Sequence, residues 1–190
     1  MTADELQAAL VRRGALLDGH FRLSSGRHSN RFVQKFRLLE DPVLVEQVAA
    51  SFVERTSMLA PTVVVSAAVG GIVLGYECAR QLGTLGIFVE KENGVPALRR
   101  GFRLEPDDRV LVVEDVVTTG LSVREIFEVV RTAGAGIVAV AIIVARATVD
   151  FGVPTVALLD LPIESYAADV CPQCAAGTPI SEPGSRFLRG

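Results

Sequence analysis

Residues 110–122, Val-Leu-Val-Val-Glu-Asp-Val-Val-Thr-Thr-Gly-Leu-Ser, form the stretch of sequence that decides the fold. Four apolar residues come first, the acidic pair Glu114-Asp115 follows, and small hydroxyl residues then surround Gly120. Residues 123–130 place their apolar side chains at helical spacing. This order predicts a buried strand, an acidic pair, a short loop and a helix.

The acidic pair and the loop together predict a site for a ligand that is both a sugar and a phosphate. Carboxylates at the carboxyl end of a parallel strand lie where ligands bind in open α/β sheets. A loop of Thr, Gly and Ser that opens a helix offers backbone N–H groups, hydroxyls and the positive end of the helix dipole to an anion. Paired acids suit the vicinal hydroxyls of a sugar and the neighbourhood of a bound Mg²⁺.

Each part of this stretch also has an ordinary structural explanation, as a solvated turn or a helix cap. The uninterrupted succession of acids, loop and helix favours the functional interpretation. The chain contains no G-x-x-x-x-G-K-[ST] motif, so the loop is not a P-loop. Residues 134–139 imitate a dinucleotide fingerprint, but they follow a predicted helix and open a strand, which is the reverse of the required context.

Length and composition indicate one globular domain spanning residues 1–190, of which 49% are hydrophobic. A chain of this size buries roughly 70% of its unfolded surface, so a normal core is available. The net charge of −3 argues against nucleic acid or an anionic membrane as the main partner. The sequence shows no signal peptide and no run of 18 apolar residues, and we expect a cytoplasmic protein.

The three cysteines give no even disulfide framework. Cys78 lies in an apolar, helix-like segment and is predicted to be a core residue. Cys171 and Cys174 form a C-x-x-C motif, but a zinc site needs two more ligands nearby, and both histidines lie far upstream. A redox motif is expected beside a βαβ unit rather than near the C-terminus. Structural thiols are favoured, with metal binding and redox chemistry left open.

Strands and helices alternate along the middle of the chain. Helices are predicted over residues 3–13, 43–55 (capped by Asp41-Pro42), 72–82 and 123–133. Strands are predicted as a short pair within 19–35 and then over 62–66, 86–90, 109–113, 137–144 and 155–159, with a polar loop over 91–101. Apolar strands alternating with helices predict a parallel sheet covered on both faces, spanning about 40–159. The strand pair and the C-terminal tail (about 15–36 and 160–190) are expected to form a small cap beside the strand ends.

The stretch over residues 110–122 resembles the phosphoribosyl pyrophosphate (PRPP) signature of the type I phosphoribosyltransferases. Other segments resemble the shorter form of the orotate phosphoribosyltransferases, and the resemblance runs from about Leu10 to Arg186. These segments are Gly19-His20-Phe21-Arg22-Leu23-Ser24-Ser25-Gly26-Arg27-His28-Ser29, Gln34-Lys35, Gly70-Gly71-Ile72-Val73-Leu74-Gly75-Tyr76-Glu77, Leu98-Arg99-Arg100-Gly101-Phe102 and Cys171-Pro172-Gln173-Cys174.

The resemblance implies a type I phosphoribosyltransferase fold, in which the cap is called a hood. It also implies a reaction in which N1 of orotate displaces pyrophosphate from C1 of PRPP, giving orotidine 5′-monophosphate for pyrimidine biosynthesis. The implied cofactor is Mg²⁺, held mainly by PRPP with Glu114 and Asp115 nearby and without dedicated protein ligands. The implied assembly is a homodimer with shared active sites.

The resemblance also assigns roles to individual residues. Catalytic roles fall on Lys91, Arg100 and Asp115. PRPP binding falls on Gly70, Gly71, Lys91, Arg99, Glu114, Asp115, Val116, Val117, Thr118, Thr119, Gly120, Leu121 and Ser122. Orotate binding falls on Ser24, Phe32, Thr118 and Arg146. For Arg146 the residue type agrees, because a guanidinium at a strand end can bind a carboxylate bidentately.

The chain departs from the longer bacterial orotate enzymes at three places. The segment from Glu90 to Gly101, expected to be a mobile loop that closes over pyrophosphate, keeps Lys91 but has no histidine. Gly70 and Ser24 stand where the longer enzymes have lysines, so Lys91, Arg99, Arg100 and Mg²⁺ are expected to neutralise the pyrophosphate. Two alternatives stay open: a phosphoribosyltransferase for another base, such as xanthine or uracil, and a PRPP-sensing regulator that binds nucleic acid.

Overall fold

The computed structural model describes residues 1–23 and 25–183 and contains two β-sheets. Its helices are α1 (Ala3–Arg12), α2 (Phe36–Leu39), α3 (Pro42–Thr56), α4 (Gly71–Leu82), α5 (Leu121–Thr132) and α6 (Pro172–Ala175). Its strands are β1 (Leu16–Arg22), β2 (His28–Val33), β3 (Val63–Ala67), β4 (Leu85–Glu92), β5 (Val95–Leu98), β6 (Arg109–Val117), β7 (Gly136–Ala145) and β8 (Thr155–Asp160). Short 3₁₀ turns span Ser57–Leu59 and Ala168–Val170.

The larger sheet has six strands in the order β5-β4-β3-β6-β7-β8, and only β5 runs antiparallel to its neighbour. Alternate residues of its central strands face opposite sides. Val64 and Leu111 pack toward α1, α3 and α4, whereas Val65 and Val112 pack toward α5. This alternation confirms the prediction of a parallel sheet whose two faces are both covered by helices.

Two predicted helix boundaries follow from local chemistry. The Asp41 carboxylate accepts hydrogen bonds from the backbone N–H groups of Val43 and Leu44, and Pro42 occupies the first turn of α3. Helix α4 ends at Gly83, which has a φ of 68° and so adopts the left-handed conformation that glycine tolerates best. Both signals were legible in the sequence, and both predicted helices are confirmed.

The order of the strands creates a topological switch point between β3 and β6. Strand β3 pairs with β4 on one side and with β6 on the other. The connections that leave the carboxyl ends of β3 and β6 therefore lead to helices on opposite faces, α4 and α5. A crevice opens between such connections, and this is where open α/β sheets bind ligands.

Strand β6 is longer than predicted. It continues to Val117, because its parallel pairing with β7 extends to Val117 opposite Ala145. The expectation that the acidic pair follows the strand is therefore wrong: Glu114 and Asp115 belong to it. The loop before α5 is correspondingly short, and consists of residues 118–120.

The predicted polar loop over residues 91–101 is also partly wrong, because β4 and β5 form a hairpin within it. Val89 pairs with Leu98 and Glu92 pairs with Val95. The turn consists of Asn93 and Gly94, whose φ angles of 52° and 84° are both left-handed. Asn-Gly favours such hairpin turns, since both residues adopt positive φ more readily than others.

The β1–β2 hairpin packs against the C-terminal segment, and the two together are here called the hood. His28 exchanges two backbone hydrogen bonds of 2.8 Å with Tyr166. The Arg22 N–H donates to the Ser181 carbonyl at 2.9 Å, and the Ser181 N–H donates to the His20 carbonyl at 2.8 Å. Segments from the two ends of the sequence thus share one small layer. The tail after residue 183 lies outside the described residues.

Packing of the hood contradicts the expectation that no further metal ligand lies near the C-x-x-C motif. Both histidines lie against Cys171 and Cys174. Sequence distance was misleading here, because the hairpin turns back against the C-terminal segment. Cys78, in contrast, is fully buried in the core, as predicted. No helix among the described residues has the length and apolarity needed to cross a membrane.

Candidate active site

The acidic pair lies buried at the carboxyl end of β6. Glu114 is 5% exposed and Asp115 is 2% exposed. The Asp115 backbone N–H donates to Glu114 Oε1 at 3.0 Å, and the Val116 N–H donates to Asp115 Oδ1 at 2.6 Å. These bonds hold both carboxyl groups against the backbone of the strand.

Burial changes the acidity of Glu114. Burial and, to a smaller degree, the neighbouring charge of Asp115 together raise the pKa of Glu114 to about 8, although the Lys35 ammonium acts in the opposite direction. The raised pKa favours the protonated form of Glu114, which can donate a hydrogen bond. The oxygens of both carboxyl groups can accept hydrogen bonds, which suits the hydroxyls of a sugar.

Residues 118–122, here called the phosphate loop, follow directly. Thr118 and Thr119 are exposed, and α5 begins at Leu121. Gly120 has a φ of 77°, and a Cβ on it would lie 2.9 Å from the Phe151 ring, so glycine is required for both conformation and space. A cavity of about 190 Å³ is lined by Glu114 and by residues 116–123. Hydroxyls and the positive end of α5 face this cavity, which suits a phosphate group.

The turn after β3 packs against the acidic pair from the other side of the switch point. Its Ala68–Val69 peptide bond is cis. A Cβ on Gly71 would lie 3.1 Å from the Ser66 Cβ, and a Cβ on Gly70 would clash with the Asp115 carboxylate. Glycine at these positions lets the turn backbone approach the acidic pair. The predicted residues Gly70, Gly71, Glu114 and Asp115 are thus brought together.

Arg146 follows β7 at the same edge of the sheet. Its backbone N–H donates to the Val117 carbonyl at 2.8 Å, which places it beside Thr118. Its Nε is buried and has no hydrogen-bond acceptor within residues 1–23 and 25–183. Burial lowers the pKa of this guanidinium. A half-buried cation with an unused donor is well suited to bind a ligand's carboxylate.

Comparisons with known proteins agree with this geometry. The family model of the phosphoribosyl transferase domain matches residues 39–149. The orotate phosphoribosyltransferase of Pelotomaculum thermopropionicum is 49% identical over 190 residues, which cover 99% of this chain and 100% of that one. That of Thermotoga maritima is 45% identical over 186 residues, 97% and 100% of the two chains. The chain belongs to the orotate phosphoribosyltransferase family.

A solved member of this orotate phosphoribosyltransferase family has the same fold. The crystal structure of the Aeropyrum pernix enzyme superposes with a TM-score of 0.68 and is 29% identical in sequence. The match covers 81% of this chain and 92% of that chain. The six-stranded sheet and the small N-terminal hairpin therefore represent the α/β type I phosphoribosyltransferase fold.

Lys35 is the site residue that the sequence analysis missed. Its Nζ lies 2.8 Å from Asp115 Oδ2 and 3.1 Å from Oδ1. A Cβ on Gly70 would lie 2.7 Å from the same Nζ. Lys35 therefore brings a cation to the place where longer members of the orotate phosphoribosyltransferase family have a lysine on the turn itself. The absence of a lysine at position 70 was the one sign of this role in the sequence, because the positive charge must then come from another segment.

The basic residues of the β4–β5 segment are not gathered at the acidic pair. Lys91 forms a 2.7 Å ion pair with Glu125 of α5, Arg99 forms one of 2.7 Å with Glu92, and Arg100 forms one of 3.0 Å with Glu90. Lys91 thus reaches the helix that follows the phosphate loop. All three cations have acidic partners, which a pyrophosphate would have to displace.

Phe32, another of the predicted orotate residues, belongs to the hood. Phe32 is half-buried on β2 and packs against Phe21, with 5.8 Å between ring centroids. This contact is with another hood residue, so core packing alone accounts for it. Ser24 lies outside the described residues.

Proposed function

We propose that this chain transfers the ribose 5-phosphate group of PRPP to N1 of orotate, giving orotidine 5′-monophosphate and pyrophosphate in pyrimidine biosynthesis. The observation that carries the proposal is the cavity lined by Glu114 and the phosphate loop, with Asp115 and Arg146 at the same edge of the sheet. The cavity suits a sugar phosphate, and the Arg146 guanidinium suits an anionic base. Membership of the orotate phosphoribosyltransferase family supports both parts.

The reaction exchanges one bond at C1 of the ribose for another. The N1–H bond of orotate breaks and its proton passes to solvent, the lone pair on N1 forms the new C–N bond, and the electrons of the C1–O bond leave with pyrophosphate. Positive charge grows on the ribose ring while negative charge grows on the leaving group. The protein then acts mainly by positioning the reactants and by stabilising these charges.

Each end of PRPP has a matching group. Thr118, Thr119 and the N–H groups that open α5 bind the 5-phosphate, with Ser122 beside them. The carboxyl groups of Glu114 and Asp115 bind the ribose hydroxyls. The backbone at Gly70 and Gly71 receives the pyrophosphate. The Lys35 ammonium adds a positive charge beside the pyrophosphate, because its Nζ lies where a side chain at position 70 would point.

The acidic pair fits a role for Mg²⁺. Carboxylate oxygen is a preferred ligand type for this ion, and Asp115 offers a buried carboxylate with a single Lys35 ammonium beside it. PRPP is proposed to supply most of the atoms that coordinate the ion, with Glu114 and Asp115 nearby. When bound, Mg²⁺ neutralises charge on the leaving pyrophosphate.

The base is proposed to bind between Arg146 and the hood. The guanidinium of Arg146 pairs with the carboxylate of orotate, with Thr118 next to it. Phe32 and Ser24 are proposed to contact the base from the hood. A base without a carboxylate, such as uracil, would leave the Arg146 guanidinium unpaired in a partly desolvated place, which disfavours it.

The segment from Glu90 to Gly101 is proposed to close over pyrophosphate and to bring Lys91, Arg99 and Arg100 to it, across the interface of a homodimer. Mixing two inactive variants tests this arrangement. Lys91→Ala and Asp115→Asn subunits should regain activity together, since each mixed dimer builds one intact site. Absence of recovery, after subunit exchange has been demonstrated, would mean that each site uses a single chain.

The single domain over residues 1–190, its division into hood and core, and the cytoplasmic location stay predictions.

One assay tests the central proposal. Loss of orotate absorbance should require both PRPP and Mg²⁺, and pyrophosphate should appear in equal amount. Xanthine and uracil, added in excess as competitors, should not slow the reaction. A purified, folded protein that consumes no orotate under these conditions would contradict the proposal.

A further inference from the structure

Four potential metal ligands converge in the hood, away from the acidic pair. His20 lies on β1, His28 lies on β2, and Cys171 and Cys174 lie at the start and within the short helix α6. The ligand atoms of these four residues, here called the hood cluster, all lie within 4.8 Å of one another. The proposed reaction uses none of them.

The distances between the ligand atoms fit the geometry of one tetrahedral ion. His20 Nε2 lies 3.1 Å from His28 Nδ1. The Cys171 Sγ lies 3.5 Å from His20 Nε2, and the Cys174 Sγ lies 3.7 Å from His20 Nε2 and 3.2 Å from His28 Nδ1. A tetrahedral zinc ion with ordinary bond lengths separates two nitrogens by about 3.3 Å and a nitrogen from a sulfur by about 3.6 Å. The side chains would need only small shifts to receive it.

The histidine His20 is held in the state that a metal ligand needs. Its Nδ1 lies 2.8 Å from the carbonyl oxygen of Thr178. A carbonyl oxygen only accepts hydrogen bonds, so Nδ1 must carry the proton. Nε2 then directs its lone pair at the hood cluster. A hydrogen bond from the second ring nitrogen to a backbone carbonyl is the usual way in which proteins orient a ligating histidine.

The two histidines reach one point because of the hairpin that carries them. Arg22 pairs with His28 across the β1–β2 ladder, so His20, two residues before Arg22, is a diagonal neighbour of His28. Backbone bonds to Tyr166 and Ser181 bring the C-terminal segment to this hairpin, and Gln173 donates to the Gly19 carbonyl at 2.9 Å. The packing of the hood therefore brings together ligands that lie far apart in the sequence.

Burial argues against an accidental surface group. His20 is 3% exposed, His28 is 6% exposed and Cys171 is 3% exposed, while Cys174 closes the cluster at the surface. Buried polar side chains usually have a partner that satisfies them. A disulfide between the two cysteines would consume both thiols and leave the imidazole nitrogens facing each other. A metal ion satisfies all four groups at once.

We propose that the hood cluster binds one structural zinc ion. Two sulfur and two nitrogen ligands in tetrahedral positions favour Zn²⁺ over magnesium or calcium, which prefer oxygen. All four positions of the ion are filled by protein, as in structural rather than catalytic zinc sites. Two thiolates neutralise the two charges of the ion. The ion would cross-link β1 and β2 to α6 and so hold the hood closed.

Metal analysis of the purified protein tests the proposal directly. The expected content is about one zinc per chain, as for other closed four-ligand sites. Cobalt, exchanged for zinc under reducing conditions, should give the thiolate charge-transfer band and the visible bands of a tetrahedral ion. Cys171→Ser and His28→Gln should each lose the zinc, whereas Cys78→Ala, which removes a buried cysteine elsewhere, should retain it.

A second measurement on the unaltered chain covers the case in which these variants do not fold. Zinc should protect Cys171 and Cys174 from alkylation, and a strong chelator should expose both to the reagent. Three results would overturn the proposal: a protein that takes up neither zinc nor cobalt, ligand variants that keep their zinc, or a metal-free protein with Cys171 and Cys174 joined in a disulfide.

Discussion

The phosphate loop and the hood cluster bring their functional groups together in opposite ways. Residues 118–122 are consecutive, and they come three residues after an acidic pair that belongs to β6. The hood cluster takes its side chains from positions as much as 154 residues apart. One site is a short continuous stretch of chain that lines a cavity. The other is a meeting point of segments that have no sequence relation to one another.

The difference teaches what holds each site in place. The phosphate loop is anchored by β6 and α5, whose apolar residues lie in the main core. It keeps its shape as long as the sheet is folded. The hood is a two-stranded hairpin with a tail packed on it, and two strands alone are marginally stable in water. We therefore expect the hood to depend on its cross-link, and the phosphate loop to be independent of its ligand.

The largest expected effect is on thermal stability, and it separates the two regions. When free zinc exceeds its dissociation constant a thousandfold, binding stabilises the folded state by about 4 kcal/mol. A chain of 190 residues should then lose roughly 8–16 °C in Tm when zinc is removed. Calorimetry with and without a zinc-selective chelator measures this. In Cys171→Ser the chelator should have no effect, while Cys78→Ala should respond as the unaltered chain does.

The next effect is on catalysis and leaves stability unchanged. Thr118→Ala removes a hydroxyl from an exposed loop residue, so the fold loses little. A hydrogen bond to a charged group contributes about 1.5–3 kcal/mol, and kcat/KM for PRPP should fall about tenfold or more. Asp115→Asn should lower it at least as much.

Thr155→Ala is the matched control, since Thr155 is exposed at the opposite end of the sheet, where β8 begins. Its kinetics should equal those of the unaltered chain. If Thr118→Ala has unchanged kinetics as well, the 5-phosphate does not bind at the phosphate loop.

Arg146→Ala should raise KM for orotate about tenfold and leave KM for PRPP nearly unchanged. The physical reason is the loss of a charge-assisted hydrogen bond to the carboxylate of the base. Arg131→Ala, which removes an exposed arginine on α5, is the control and should change neither value. Equal increases for both substrates would move Arg146 from the base site to a supporting role.

The smallest effect is expected at Lys35, which connects the two regions. It follows β2 of the hood and pairs with Asp115 of the sheet, but its side chain is 36% exposed and so screened by solvent. Lys35→Ala should lower kcat roughly threefold to tenfold, because the leaving pyrophosphate loses a cation. Lys35→Arg keeps the charge and should recover most of the rate. A loss confined to stability, with normal kinetics, would restrict Lys35 to holding the hood.

Much of the fold was predictable because its signals are local. Apolar periodicity located the helices and strands, and Asp41 and Gly83 marked helix ends. The acidic pair and the phosphate loop were found together because they are adjacent in sequence. The length of β6 was not predictable in the same way, since its last residues are fixed by pairing with β7.

The other errors also come from contacts between distant segments or from a missed turn. Asn93-Gly94 was a local hairpin signal that the polar composition around it obscured. Lys35 contacts Asp115 only in the folded chain, where the segment after β2 reaches β6, and the histidines meet the cysteines only when the C-terminal segment packs on the hairpin. Side chains that meet through packing leave no spacing pattern in the sequence.

The contact between the hairpin and the C-terminal segment also determines the order in which parts of the protein can fold during synthesis. His20 leaves the ribosome early, whereas Cys171 is added 151 residues later. At the usual speed of translation this interval is roughly 8–30 s. During that time the sheet and the phosphate loop can form while the hairpin waits without its partner segment. We therefore expect the hood side of the proposed base site to form after the proposed sugar-phosphate site.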